Sequence, residues 1–437
     1  MRMQHALYNA MLPAAALAAR IAAPFNEKIA EGLKEREGFR SRWNEKAAGL
    51  ARRGRLVWFH VSSVGEFEQA KPVMSLLAER QGPSFEMALT FFSPSGMHYY
   101  RTYDRSKGMS AIKFLEYLPI DTPGNVRFCL DTLKPDMLVF VKFDLWPNLL
   151  IEAARRDIPQ VLISGTLSPG SRRLSPVARG FYGRLYAALS AVAAISAEDA
   201  ERFRTGGTGA VEIVVAGDTR FDQVCRRIDG STVKLPAAIA ASGTTWIVAG
   251  STWPRDEKIV IPGFAILRRS NPDVGLIVVP HEPTAPRIAE IRSALEASGL
   301  THHCLSSLHD ETKVTEPVLI ADGVGYLADL YRSGAVAYVG GSFTTGVHNV
   351  MEPAVLGLPV LFGPRIDNSY EARRLVELGS GTIVKTAQDV AREIGALLAN
   401  RRSLEEKGSA AARFIRNHCG AAPRCVDLIE KYLERKR

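Results

Sequence analysis

The sequence predicts an α/β protein of two Rossmann-like, doubly wound domains facing a central cleft, with a membrane-associated N-terminal helix before them. Three observations carry this. At 437 residues the chain is too long for one ordinary hydrophobic core. Short β-branched runs alternate with helical patterns along its length, as in parallel sheets with crossover helices. Several runs end in Gly- or Ser-rich turns that open a helix, where open α/β sheets bind ligands. Apolar content of 46% and charged content of 23% are those of a globular body.

The N-terminal segment, 1–45, holds an alanine-rich apolar stretch from Ala6 to Phe25, interrupted by Asn9, Pro13 and Arg20. Arg2 precedes it, and Lys28, Lys34, Arg36, Arg40 and Arg42 follow. A spanning helix wants about 20 uninterrupted apolar residues. Basic charge on both sides of a weakly hydrophobic stretch argues against a cleaved leader. The favoured reading is a monotopic amphipathic anchor with basic residues toward anionic headgroups, and the plainer alternative is a packed first helix.

The first domain, 46–222, reads as strands over Leu56 to Val61, Met87 to Phe92, Met137 to Val141, Gln160 to Ser164, Ala191 to Ser196 and Val211 to Ala216, with helical patterns between them. Residues 226–236 lack clear periodicity and mark the junction. The second domain, 223–437, reads as strands over Trp246 to Ala249, Leu276 to Val279, Val318 to Ala321, Ala335 to Val339, Pro359 to Phe362 and Thr382 to Val384, then helices. The last helix is expected to pack back on the first domain.

The net charge of +9 suits nucleic acid, an anionic membrane or a phosphorylated substrate. No Lys/Arg stripe is interleaved with aromatics, so no nucleic-acid partner is expected. Five scattered cysteines (Cys129, Cys225, Cys304, Cys419 and Cys425) form no CxxC pair and read as reduced thiols. No GxGxxG follows the first strand and no GxxxxGK[ST] occurs, which leaves a dinucleotide or P-loop site without support. His302 and His303 are adjacent and have no nearby carboxylate, so neither a metal nor a cofactor is expected.

Candidate chemistry lies at strand ends. Glu66 follows the first strand in Ser62-Ser63-Val64-Gly65-Glu66; a carboxylate there can take a proton from a hydroxyl, or merely stabilise its helix. Asp144, in Lys142-Phe143-Asp144-Leu145-Trp146-Pro147, is equally a cleft residue or a helix cap, and Trp146 a cleft wall. Gly250-Ser251-Thr252 reads as a strand-to-helix turn that contacts phosphate or caps a helix. His281 and Arg287 follow a strand and suit an anionic donor or the surface. Gly340, Gly341 and Ser342 form a loop after a strand, followed by His348, Asn349 and Glu352. Backbone N–H groups and a helix N-terminus there suit a phosphate, and Glu352 suits ribose hydroxyls. Asn349 to Glu352 also fits a capping box.

The motifs HVSSVGEFEQ, FFSPSG, YLPIDTPGN, KFDLWPN, ISGTLS, GDTRFD, GSTWPRDE, VVPHEP, LADLY, VGGSF and HNVMEPAVLGLPVLFGP, in this order and spacing, resemble the 3-deoxy-D-manno-octulosonic acid (Kdo) transferases of lipopolysaccharide synthesis over nearly the whole chain. The resemblance implies a GT-B glycosyltransferase, monotopic on the cytoplasmic face of the cell inner membrane. It implies Kdo transfer from CMP-Kdo to a lipid A precursor, metal-independent and inverting, with Glu66 as general base. Gly250, Ser251, His281, Arg287, Gly340, Gly341, Ser342, His348, Asn349 and Glu352 would serve CMP-Kdo. Ser63, Gly65, Lys142, Asp144 and Trp146 would lie on the acceptor side. Two departures touch the sites: Lys142 replaces the first glutamate of the family's ETE, and Pro280-His281-Glu282 replaces its PRH. A soluble nucleotide-sugar epimerase of the same fold and a non-catalytic lipid binder are the alternatives.

Overall fold

The computed structural model describes residues 2–102, 109–230, 237–308 and 314–435. The chain forms two compact units, Met1–Gln223 with His418–Arg437, and Val224–Asn417. Of the expected aperiodic junction, residues 231–236 lie outside the described part. Its beginning is helical instead, within Thr219–Asp229. Buried Phe221, Val224 and Ile228 supply the helical spacing there.

The first unit opens with α1 (Arg2–Ala22), α2 (Glu27–Lys34), α3 (Phe39–Ala48) and, after the first strand, α4 (Val64–Gln81). Its seven strands are β1 (Leu56–Val61), β2 (Glu86–Phe91), β3 (Ile112–Tyr117), β4 (Met137–Val141), β5 (Gln160–Gly165), β6 (Ala191–Ala194) and β7 (Glu212–Val215). They pair in parallel in the order β3-β2-β1-β4-β5-β6-β7. The chain runs outward from β1 to β3 and returns to place β4 beside β1. That reversal makes β1/β4 the topological switch point, where a crevice opens beyond the carboxyl ends.

Burial on both faces explains the apolar runs. Val57, Phe59 and Val61 of β1 enter one layer with Phe67, Val73 and Leu77 of α4 and Val426 and Ile429 of the helix Ala421–Glu434. Leu56 and Trp58 enter the other with Trp43 of α3. The last helix thus belongs to this unit's core, and Asp222 accepts the Gly420 and Ala421 N–H groups at 2.8 and 3.0 Å.

The second unit has β8 (Thr245–Thr252), β9 (Val274–Pro280), β10 (His302–Cys304), β11 (Val318–Ile320), β12 (Gly334–Val339), β13 (Val360–Phe362) and β14 (Gly381–Ile383). They too are parallel, ordered β10-β11-β9-β8-β12-β13-β14, with the switch point between β8 and β12. The edge strands β3 and β10 escape a periodicity reading. β3 carries Lys113 and Glu116, β10 has three residues of which two are histidine, and sheet edges tolerate both.

α1 continues through Pro13 and docks on the first unit by its polar side chains. Tyr8 donates to Asp121 at 2.9 Å, His5 Nε2 lies 2.6 Å from Asn148 Oδ1, and Asn148 donates to Asn9 at 2.7 Å. Leu7, Met11, Leu17 and Ile21 remain exposed. Among the described residues, Gln4–Phe25 is the one stretch long and apolar enough to cross a membrane.

Candidate active site

Most candidate side chains sit at their own sheet's switch point; His281 and Arg287 instead follow β9, the neighbour of β8 on its other side. In the first unit β1 runs into Ser62-Ser63 and α4. Ser63 caps α4, its Oγ accepting the Glu66 N–H at 3.4 Å. Glu66 stands at the third helical position and folds back, so that Oε2 accepts the Ser62 N–H at 2.5 Å. Oε1 has no hydrogen-bond partner among the described residues. Burial, opposed by the Ser62 N–H bond, raises the Glu66 carboxyl to about 7, with Asp144 adding to the rise and Lys142 reducing it. Gly65, at the second position of α4, is exposed.

The loop after β4 supplies the opposite wall. Lys142 has φ +66°, in the left-handed region. It is held there by its N–H to the Ile163 carbonyl at 2.9 Å and by its carbonyl to the Thr166 N–H at 3.2 Å. Asp144 does not cap the following helix Pro147–Ala154; Trp146 occupies that position. Burial instead pushes the Asp144 carboxyl up, and its Oδ2 lies 3.9 Å from His60 Nε2. Trp146 packs against Phe92 (centroids 4.5 Å) and His60 (5.9 Å).

In the second unit β8 extends to Thr252, so Gly250-Ser251-Thr252 is strand rather than turn, and Trp253 occupies the N-cap of the helix Pro254–Arg268. Ser251, like Lys142, has a positive φ, +51°. Gly340 donates to the Gly250 carbonyl at 2.9 Å, and a Cβ there would collide with the Ser251 backbone. Gly341 has φ +96°, and a Cβ on it would lie 2.7 Å from the His348 ring. Its N–H donates to Asp256 Oδ2 at 3.0 Å. The N–H groups of Gly340 and Gly341 are therefore engaged within the fold. Ser342 is fully buried, and its Oγ has no partner among the described residues. A buried hydroxyl with no partner at a switch point makes Ser342 a candidate ligand contact.

His281, His348 and Trp253 form a stack: His281–His348 centroids lie 4.4 Å apart and Trp253–His281 4.9 Å apart. The Trp253 indole N–H donates to His348 Nε2 at 2.8 Å. Burial and the neighbouring His281 lower the His348 pKa. Arg287 pairs with buried Glu257 and with Glu290. Glu352 accepts from Arg227 at 2.7 Å and from the Asn349 side chain at 3.3 Å. The capping box does not form: Asn349 Oδ1 takes the Met351 N–H at 3.0 Å, and the helix Met351–Val355 has Val350 at its N-cap. This helix has only five residues, too few to sum the field expected of it.

Three residues absent from the sequence candidates belong to these sites. His60 is fully buried, held near pKa 3 by burial, and shares a 2.9 Å hydrogen bond with Thr90. Trp253 carries the stack. Asp256 joins the Trp253 N–H (2.9 Å), the Gly341 N–H and the Tyr338 hydroxyl (2.8 Å), fixing the β8 and β12 ends together. All three lie in or beside the motifs HVSSVGEFEQ and GSTWPRDE, but only the folded sheet shows which way each side chain points.

Residues 31–223 match the family model described as 3-deoxy-D-manno-octulosonic-acid transferase (kdotransferase). A 3-deoxy-D-manno-octulosonic acid transferase of Chlamydia trachomatis serovar A is 30% identical over 369 residues, 81% of each chain. One of Haemophilus influenzae is 27% identical over 387 residues, 87% of each chain. Among solved structures, UDP-GlcNAc 2-epimerase from Neisseria meningitidis superposes with a TM-score of 0.58 at 16% identity, over 87% of this chain and 100% of that one. At that identity the likeness is one of fold. Sequence identity at the level of the Chlamydia relative, sustained over four-fifths of both chains, makes this chain a glycosyltransferase belonging to the 3-deoxy-D-manno-octulosonic acid transferase family.

Proposed function

We propose that the protein transfers Kdo from CMP-Kdo to a sugar hydroxyl of a lipid A precursor of the lipid IVA type, with inversion and without a metal ion, and that Glu66 is the general base. The observation that carries this is the Glu66 carboxylate. It lies at the β1/β4 switch point, its pKa is raised to about 7, and one oxygen is unengaged. A base with a pKa near the working pH combines a useful deprotonated fraction with a useful proton affinity. Glu66 takes the hydroxyl proton as the oxygen forms its bond to the anomeric carbon of Kdo. The bond from that carbon to the phosphate oxygen breaks, and CMP leaves with the electron pair.

The second unit is the donor side in this reading. Ser342 and Ser251 contact the departing phosphate, and Gly250, Gly340 and Gly341 let backbone approach it closely. His281 and His348 form an aromatic wall, Asn349 and Glu352 meet the ribose, and Arg287 keeps the nearby Glu257 neutralised. Ser63, Gly65, Lys142, Asp144 and Trp146 line the acceptor side. The exposed apolar face of α1, with exposed Lys28, Lys34 and Arg40 following, supports monotopic attachment to an anionic membrane, the cytoplasmic face of the inner membrane.

The test is Kdo transfer in detergent with a chelator present, wild type beside Glu66→Ala. Product from wild type and none from a folded variant is the expected result. Stabilisation by a uridine nucleotide but not by CMP, with no transfer, would favour the epimerase chemistry instead.

A further inference from the structure

Between α1, α2 and the carboxyl edge of the first sheet lies an open pocket of about 400 Å³, within the range of small-molecule sites. Leu12, Ala16 and Ala19 of α1 line one side and Ile29 of α2 another, with Phe92 and Trp146 as the inner wall. Leu12 to Ala19 spans two helical turns, about 10 Å of wall. The two faces of α1 differ: Leu12, Ala16 and Ala19 turn inward to the pocket, while Leu7, Met11, Leu17 and Ile21 are exposed. Exposed Lys28 sits at the rim.

The inner wall leads to the proposed base. Trp146 touches His60, His60 Nε2 lies 3.4 Å from Ser62 Oγ, and the Ser62 N–H holds Glu66. Building on the acceptor reading above, we propose that this pocket binds one acyl chain of the lipid acceptor. The outer face of α1 sets the mouth at the membrane surface, the level at which an amphiphile presents its chains. Lys28 complements the acceptor's anionic headgroup. A chain seated between Ala16 and Trp146 anchors its own sugar beside Glu66, so binding energy from a remote part of the substrate positions the reacting hydroxyl.

The experiment compares three detergent-solubilised variants with wild type. Ala16→Trp fills the pocket, Ala16→Leu fills it partly, and Arg402→Gln changes only an exposed position on the helix Arg401–Asn417 of the second unit. KM is measured for the acylated acceptor and for CMP-Kdo, and transfer is also followed to the fully deacylated acceptor saccharide. Ala16→Trp is expected to raise the acylated-acceptor KM by about tenfold or more, with Ala16→Leu intermediate. The CMP-Kdo KM and the rate on the deacylated saccharide should stay within about twofold. Arg402→Gln should leave all three values unchanged. An acylated-acceptor KM that stays at the wild-type value in both Ala16 variants overturns the pocket assignment alone. A wild type that transfers to neither acceptor overturns the lipid-acceptor reading and the assignment with it.

Discussion

The two switch points have opposite electrostatics. At β1/β4 a carboxylate is left short of partners. Glu66 keeps one unengaged oxygen, Asp144 is pushed up by burial, and His60 is held neutral beside them. At β8/β12 each buried charge is matched. Asp256 gathers three donors, Glu257 pairs with Arg287, and Glu352 pairs with Arg227. A group whose partners are withheld titrates near neutrality and can move a proton. A group whose partners are supplied stays fixed and holds shape for a ligand. The same strand-loop-helix unit thus yields a carboxylate that titrates near neutrality or a set of charge-matched loops, according to what the neighbouring loop brings.

Glu66→Gln breaks the first site hardest. Loss of the proposed general base should lower kcat by roughly 10²- to 10⁴-fold while the CMP-Kdo KM holds within about threefold. The same substitution should stabilise the fold at high pH. A carboxyl raised from 4.5 to about 7 contributes stability below its unfolded pKa, and loses it as pH rises through the folded value. Thermal melts should therefore show Glu66→Gln above wild type at pH 8, by up to about 3 kcal/mol, and equal to it below pH 4.5. Equal melts at pH 8 would mean that burial does not strain this carboxylate.

Gly341→Ala breaks the second site. At φ +96° and with the His348 ring 2.7 Å from a new Cβ, the loop must shift, at a cost of about 1–3 kcal/mol. The CMP-Kdo KM, measured with saturating acceptor, should rise by about tenfold, with the acid limb of the pH–rate profile unmoved.

The charges flanking Glu66 sharpen the contrast. Wild-type kcat should fall below about pH 7 as Glu66 protonates. Lys142 lowers the Glu66 pKa, so Lys142→Met should move that limb to higher pH; Asp144 raises it, so Asp144→Asn should move the limb to lower pH. Each displacement should be under about one pH unit. Limbs moving in the same direction would refute the arrangement. The smallest effect belongs to Trp253→Phe, which keeps the stack and loses only the indole N–H to His348. A rise of about two- to fivefold in the CMP-Kdo KM, with kcat unchanged, is expected from one lost hydrogen bond.

Much of this architecture is legible in the sequence. β1 and β4 follow from their continuous apolar runs, because a strand covered on both faces needs apolar side chains on both. Glu66 and Ser342 stand out because each follows such a run. Trp253 as N-cap was not legible, since β8 continues through Ser251 in a positive-φ conformation that no local rule favours for serine. His60 was hidden for another reason. Within β1 it reads as one more buried position, and its role depends on Thr90, Asp144 and Trp146, which lie in other strands and loops.

The sequence by itself determined the alternation of strand and helix, the strand-end position of each candidate residue, and the family. These depend on local periodicity and on the order of short motifs. Only the tertiary structure decided that β4 lies beside β1 and β12 beside β8, and so which strand ends share a crevice. Strand neighbours are chosen by non-local packing, which no local pattern encodes. Nor could the sequence set the protonation of Glu66, because a carboxyl's pKa is fixed by the burial and charges around it. Here burial is the largest cause, and the charges that modify it come from Asp144 and Lys142, more than seventy residues away along the chain.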